Sequence, residues 1–240
     1  MPSRQNRRWT RDETIAVLSL YCQTPFGRMH AKNPDVQQVA EAADRTPASI
    51  ALKLVNFASL DPEHQRRGVK GMSNVSKLDR EVWSDYYGKW EILSDFGPAI
   101  ADTDAPTDIE TTIRVRRGQA FFRRTVCSAY EHRCCITGID CPSLIRASHI
   151  IPWSIRDSSR LDPRNGLSLN ALHDAAFDRG LMTLDDQYRV VYAERFRADA
   201  DEATFSRFFK PYDHREIALP TRFRPSQEHL EYHRCHIFLN

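Results

Sequence analysis

The sequence contains no hydrophobic run that approaches the ~20 apolar residues of a membrane-spanning helix. Its first residues are polar and basic, without the apolar segment of a secretory signal peptide. Membrane proteins and proteins exported by such a signal are therefore not expected. We predict a cytoplasmic protein that has no membrane partner.

A strong charge of either sign is also lacking. The chain has 34 Lys and Arg residues against 32 Asp and Glu residues, which gives a formal net charge of +2. A balance this close to zero neither requires nor excludes a nucleic-acid partner, so the local distribution of basic residues is more informative. With 240 residues, the chain is long enough for one or two domains with a buried core.

The six cysteines form no C-x-x-C pair, and their spacing does not indicate a disulfide framework. One alternative is a zinc site built from Cys134, Cys135 and Cys141 together with His132. Adjacent cysteines are poor geometry for a single tetrahedral ion, which argues against that set. We therefore expect free, buried thiols in a reducing cytoplasm and no structural zinc.

The segment 145–183 holds chemically active residue types in a compact order. A short apolar run ends in Ser148-His149, a polar loop leads to Asn165-Gly166, and a helix is predicted from Leu167. That predicted helix carries an imidazole and two carboxylates, on His173, Asp174 and Asp178. A histidine that activates water and a helix-borne ligand for a divalent cation are what a single-metal phosphodiester site needs.

The same segment resembles the HNH endonucleases, also called ββα-metal nucleases, in the branch that reads A-x-H-I-x-P-W, N-G-L-x-L and H-[DH]-x-x-F-D-x-G. The resemblance continues upstream through Arg117-Gly118-Gln119 and Cys135-Ile136-Thr137-Gly138, and downstream to Tyr232-His233-Arg234. It covers about half of the chain. It implies an α+β protein whose C-terminal part is a ββα-metal HNH nuclease domain acting on double-stranded DNA.

The resemblance also implies roles for individual residues. The histidine of the A-x-H-I motif is the general base in this family, so His149 would take that role, and Asn165 would fix the loop beside it. Asp174 is the first choice of metal ligand, and Asp178 lies four residues further on the same helix face. His173 is the second choice of ligand and a further candidate catalytic residue. Oxygen-rich coordination without a thiolate favours Mg²⁺ or Mn²⁺.

One position departs from the family pattern. Ser148 stands beside His149, where the family often has an acidic residue or a histidine. A hydroxyl is a weak metal ligand, so the complete set of metal ligands is left open.

The sequence pattern of the N-terminal half predicts three helices. Thr10 and Glu13 form a capping box for the first, the second begins at Asn33-Pro34, and the third runs over about 48–59. A later segment rich in Asp, Pro, Thr and Ala has little apolar periodicity and is predicted to be a linker. The predicted domains are a helical domain over 1–97, a linker over 98–112 and the nuclease domain over 113–240.

The short turn before the third helix gives the N-terminal domain the outline of a helix-turn-helix, whose last helix enters the major groove. Its predicted DNA contacts are Arg45, Lys53 and Asn56. A helical dimerisation or packing module is the alternative interpretation. Arginines that precede the nuclease motif are predicted to contact phosphates, namely Arg116, Arg117, Arg123 and Arg124.

Together these features predict a metal-dependent DNA endonuclease of restriction type for bacterial defence, either sequence-specific or modification-dependent. One HNH site cuts one strand, so cleavage of both strands predicts a homodimer. Two alternatives stay open. One is a non-catalytic DNA-binding or regulatory protein with a degenerate HNH fold, and the other is a monomeric nicking endonuclease.

Overall fold

The computed structural model describes residues 7–68, 75–96 and 110–240. Its contacts divide the chain into two compact units, Met1–Ser128 and Ala129–Asn240. Residues 98–109 of the predicted linker lie outside the described residues. The division falls at the end of a helix, inside the segment that the sequence assigns to the nuclease domain.

The described part of the first unit is built from helices around a central one. Its helices are α1 (Arg11–Gln23), α2 (Pro34–Ala42), α3 (Pro47–Leu60), α4 (Pro62–Arg66), α5 (Lys77–Tyr86), α6 (Trp90–Asp95) and α7 (Glu110–Ala129). Most side chains of α1 from Thr14 to Gln23 are buried, and this helix contacts α2, α3, α5 and α6. The observed unit therefore extends beyond a three-helix arrangement.

The predicted starts of the first three helices are confirmed. The Thr10 side chain accepts a hydrogen bond from the Glu13 backbone N–H, and the Glu13 carboxylate accepts one from the Thr10 N–H. Asn33 and Thr46 cap α2 and α3, and a proline follows each of them at the first helical position. These signals are local, so the sequence contains them without tertiary information.

The apolar pattern of residues 76–93 predicts a single further helix, and this prediction is wrong, because the chain forms α5 and α6 there. Between them Gly88 has a φ of +91°, which glycine adopts at little cost. Beside this break, the rings of Trp83 and Tyr87 stack with centroids 3.9 Å apart and an interplanar angle of 16°. The two rings cover each other, which favours a packing role over a base-stacking platform.

The second unit combines short strands and helices. Its elements are β1 (Ile145–His149), β2 (Gly166–Asn170), α8 (Ala171–Asp178), β3 (Met182–Leu184), β4 (Val190–Tyr192), α9 (Glu194–Asp199), α10 (Glu202–Phe208) and α11 (Gln227–His236). β1 and β2 pair antiparallel. β3 and β4 form a hairpin, as the apolar residues on both sides of the Asp185-Asp186 turn predict for 181–192. α8 contacts both β1 and β2, which gives the strand-strand-helix order that the resemblance implies. In the described ranges of the chain, no helix is long and apolar enough to cross a membrane.

The predicted helix start at Leu167 is wrong. The residues of β2 are all buried in strand conformation, and α8 begins only at Ala171, after the N-cap Asn170. Leu167 and Leu169 are two residues apart, a spacing that puts side chains on one face of a strand but on opposite sides of a helix. Pairing with β1 selects the strand.

The six cysteines, all within the described residues, form no disulfide bond. The expectation that all of them are buried is wrong for two. Cys141 and Cys235 are exposed, whereas the buried ones are Cys22, Cys127, Cys134 and Cys135.

Candidate active site

His149 is the last residue of β1 and directly follows Ser148, which contacts the end of α8. The register of the sheet pairs Ile145 with Asn170 at one end and His149 with Gly166 at the other. Because α8 starts directly after Asn170 and contacts β1, it runs from the first end of the strand towards the second. The hydroxyl of Ser148, next to His149, accordingly lies 3.4 Å from Oδ1 of Asp178 at the end of α8.

The imidazole of His149 is held by the main chain of the loop that follows β1. Its Nε2 lies 3.0 Å from the carbonyl oxygen of Arg160. A carbonyl can only accept a hydrogen bond, so Nε2 carries the proton of the neutral ring and Nδ1 has the lone pair. The ring also contacts Trp153 edge to face, with centroids 5.5 Å apart. Burial lowers the pKa of His149, while the bond to Arg160 opposes that shift.

Asn165 ties the same loop together from a fully buried position. Its Oδ1 accepts from the Ile151 N–H at 2.8 Å, and its Nδ2 donates to the carbonyl oxygens of Ile151 and Ser159 at 3.1 and 3.2 Å. Ile150 donates to the Asn165 carbonyl oxygen at 2.9 Å. The two residues after His149 are thereby fixed to the far end of the loop.

Asp174 and Asp178 occupy one face of α8, as their spacing predicts. Burial raises the pKa of Asp178, and the charge of Asp174 raises it further, while the hydrogen bond from Ser148 and the charge of Arg179 oppose the rise. Two carboxylates that repel each other in this way could bind a divalent cation, because its charge would offset their mutual repulsion.

His173 points away from these carboxylates, since consecutive helical residues differ by about 100° in direction. It is only 1% exposed, and its ring lies against Phe209 and Tyr212, each with a centroid distance of 5.4 Å. Its Nδ1 lies 3.1 Å from Nδ2 of Asn170. The structure therefore does not bring His173 to Asp174 as a second metal ligand, and it gives His173 a place in the core.

The described side chains offer a limited set of metal ligands. Across residues 7–68, 75–96 and 110–240, no group of three or more His, Cys, Asp or Glu side chains is arranged to hold a metal ion. The set His173, Asp174 and Asp178 is thus not a three-ligand site. Mg²⁺ is usually held by one or two carboxylates, with water and substrate phosphates completing its shell, and the α8 carboxylates fit that pattern.

Burial of His173 and His233 makes stability depend on pH. It lowers the pKa of each to about 4, from an ordinary value of 6.5. Below pH 6.5 the unfolded chain binds protons that the folded chain does not, so folding stability is lost as the pH falls towards 4. The loss is on the order of 3 kcal/mol per histidine.

We expect urea unfolding to show this loss already between pH 7 and pH 5, where few carboxylates titrate. His233→Gln removes one of the two groups, so its stability should depend less steeply on pH. A wild-type unfolding free energy that stays constant over this range would contradict the burial of both imidazoles.

The predicted phosphate-contacting arginines lie on α7. Arg116, Arg117 and Arg123 are exposed. Arg124 differs, because it forms an ion pair with Asp35 of α2 at 2.9 Å. Exposed guanidinium groups on one helix are compatible with contacts to phosphates, whereas Arg124 is engaged within the first unit.

The side chains predicted to contact DNA from the helix-turn-helix are engaged in contacts within the first unit and are not presented to a DNA groove. The side chains of Arg45 and Lys53 are only 4% and 5% exposed, and they pair with Glu13 and Asp79 respectively. Asn56 donates to Asp79 at 3.2 Å. Burial lowers the pKa of Lys53, while Asp79 opposes that shift.

Arg45 and Lys53 also both lie over the ring of Trp9. Their charged groups are 3.9 and 4.1 Å from the centre of the Trp9 ring. The expectation that these two cations read DNA is therefore corrected. Both hold the first unit together, and a buried, paired cation cannot reach a base edge.

Three features of this site were not predicted from sequence. The Arg160 carbonyl is a backbone group and has no side-chain signal. The contact between Ser148 and Asp178 depends on how α8 packs on β1. Asn170 did carry a signal, since asparagine is a preferred N-cap, but the early helix start assigned at Leu167 concealed it.

A family model described as HNH endonuclease matches residues 134–185. The matched range contains β1, β2 and α8, and therefore His149, Asn165 and the two carboxylates of α8. This match supports an HNH nuclease domain in the second unit, and HNH nucleases act on DNA and generally use a divalent metal. The match therefore supports the resemblance to HNH nucleases that the motif indicates, over these residues. No curated protein matches the chain.

Proposed function

We propose that the protein is a metal-dependent DNA endonuclease of restriction type, with His149 as general base. The observation that carries the proposal is the bond from His149 Nε2 to the Arg160 carbonyl oxygen, which leaves Nδ1 as the basic nitrogen. His149 directly follows Ser148, whose hydroxyl lies 3.4 Å from the Asp178 carboxylate. Phosphodiester hydrolysis requires a base and a cation-binding group at one site.

His149 would accept a proton from the attacking water at Nδ1. Its lowered pKa keeps the imidazole neutral at physiological pH, so the basic form is present before the substrate binds. Asn165 would act by positioning, because its amide fixes the residues that follow His149. The bond to Arg160 would stabilise the ring after protonation, since Nε2–H continues to donate to the carbonyl oxygen.

Asp174 and Asp178 would hold the divalent cation, with Mg²⁺ or Mn²⁺ favoured by their oxygen ligands. Such a cation, when bound, neutralises the phosphate and stabilises the leaving 3′-oxygen. Ser148 would orient Asp178 through its hydroxyl, and in that way the serine supports the site without being a strong ligand itself.

The first unit would supply DNA affinity through the exposed arginines of α7, namely Arg116, Arg117 and Arg123. These contacts would be to phosphates and would carry no sequence information by themselves. A restriction enzyme that cuts both strands with one HNH site per chain would act as a homodimer.

The experiment that tests this proposal compares two plasmid preparations, one methylated and one unmodified, incubated with Mg²⁺ or Mn²⁺. Discrete fragments from one preparation only would establish restriction and would reveal whether modification triggers or blocks cleavage. Nicked circles without linear product would indicate a monomeric nicking enzyme. Equal degradation of both preparations to random lengths would contradict a restriction-type activity.

A non-catalytic DNA-binding protein is the second candidate, and Ser148 is the observation that favours it, because a hydroxyl is a weaker ligand than the acidic residue or histidine often found there. This candidate predicts that the protein shifts DNA in a gel but cleaves neither preparation at any Mn²⁺ concentration. Cleavage that depends on His149 would exclude it.

A further inference from the structure

We infer that Asn170 is a positioning residue for the carboxylates of α8; this inference rests on the proposed function. Asn170 is the junction between β2 and α8 and is only 6% exposed. Its Oδ1 accepts from the backbone N–H groups of Leu172 and His173, each at 3.0 Å. One face of the amide therefore caps the helix.

The other face of the amide binds a separate part of the chain. Nδ2 of Asn170 lies 3.1 Å from Thr137 Oγ1, 3.1 Å from His173 Nδ1 and 3.5 Å from Cys134 Sγ. These three atoms lie around one amide group, so a single side chain connects the turn 134–137 to the first turn of α8. We call these four residues the Asn170 node.

The turn that Asn170 contacts is itself held by backbone hydrogen bonds. Gly138 N–H donates to the Cys134 carbonyl oxygen at 2.9 Å, and Cys134 N–H donates to that of Ile139 at 2.8 Å. Cys135 N–H donates to the Ser168 carbonyl oxygen of β2 at 2.8 Å. The turn is thus attached to the sheet, and through Asn170 the sheet fixes the start of α8.

The position of this helix matters because it carries both carboxylates. Asp174 is four residues after Asn170, which corresponds to about 6 Å along the axis. A helix as short as Ala171–Asp178 is marginal without tertiary support, so its direction depends on how its ends are held. Ser148 contacts the last residue, and the Asn170 node holds the first turn.

The test distinguishes a role of the Asn170 node in positioning the carboxylates from a general effect of the node on stability. Asn170→Ser keeps a good N-cap oxygen but loses the amide donor, and Thr137→Val removes one acceptor at nearly constant volume. We expect both variants to bind Mn²⁺ about 10-fold more weakly by electron paramagnetic resonance, as is usual when residues that orient metal ligands are changed. The Mn²⁺ concentration for half-maximal cleavage should rise equally, and saturating Mn²⁺ should restore most of the rate.

The matched control is Tyr188→Phe, which removes the hydrogen bond from Tyr188 Oη to the Pro225 carbonyl oxygen at 3.1 Å, elsewhere in the second unit. It should reduce the free energy of unfolding without changing Mn²⁺ binding. If Asn170→Ser does not fold, Thr137→Val decides the question. Mn²⁺ binding by the folded node variants that equals that of Tyr188→Phe would overturn the inference.

Asp174→Asn distinguishes this inference from the proposed function. Loss of Mn²⁺ binding in Asp174→Asn together with weakened binding in the node variants supports both. Loss in Asp174→Asn alone overturns the role of Asn170 and leaves the proposed function standing. Unchanged binding in Asp174→Asn overturns the metal site and the inference with it.

Discussion

His149→Ala is expected to reduce the rate of DNA cleavage by about 10²- to 10⁴-fold, the usual contribution of a general base. The variant removes the nitrogen that would accept the proton from water, while the carboxylates of α8 and their Mn²⁺ affinity remain. Binding of DNA and of Mn²⁺ should therefore be close to that of the wild type. The rate is measured on supercoiled plasmid under single-turnover conditions.

Two further variants isolate the chemical role of the ring. His149→Gln retains an N–H donor for the Arg160 carbonyl oxygen but has no basic nitrogen, so it should be as slow as His149→Ala. His236→Ala removes an exposed histidine of α11 and should cleave at the wild-type rate. Added imidazole should restore part of the activity of His149→Ala only. Near wild-type cleavage by His149→Gln would mean that His149 serves the structure and not the proton transfer.

Gly180→Ala is expected to destabilise the second unit by on the order of 3 kcal/mol or more, the combined cost of backbone strain and steric overlap. Gly180 has a φ of +68°, and an added Cβ would overlap the carbonyl oxygen of Ile237 and lie 2.9 Å from its carbonyl carbon. Leu239 N–H donates to the Gly180 carbonyl oxygen at 2.9 Å, so the C-terminal segment cannot move away without losing that bond.

The matched control is Gly138→Ala. Gly138 has a similar φ of +74°, but nothing lies within 4 Å of an added Cβ. Its variant should therefore show the cost of strain alone, about 1 kcal/mol. Urea unfolding of both variants measures the difference. Equal destabilisation at the two positions would show that the close approach of Ile237 does not constrain position 180.

The sequence predicts those parts of the fold and site that depend on local signals. Signals of this kind are the capping box at Thr10, the prolines after Asn33 and Thr46, and the pattern that predicts the hairpin over 181–192. The motif around His149 was equally accessible, because several residue types in a fixed order are far more specific than any single histidine. Each of these signals is formed entirely by residues that are close together in the sequence.

The errors come from contacts between distant residues. The sequence predicts that Lys53 contacts DNA, but its partner Asp79 is 26 residues away, and their ion pair is buried. His173 is adjacent to Asp174, yet aromatic rings from Phe209 and Tyr212 place it in the core. Such long-range pairings have no periodic pattern in the sequence, so they are visible only in the structure.

The most direct test of the central claim is plasmid cleavage by the wild type and by His149→Ala, each with Mn²⁺ and with EDTA. The account predicts cleavage by the wild type with Mn²⁺, ends that carry 5′-phosphate and 3′-hydroxyl groups, and at least a 10²-fold lower rate in the other three reactions. Cleavage that persists in EDTA, or that His149→Ala performs at the wild-type rate, would contradict a metal-dependent nuclease with His149 as its base.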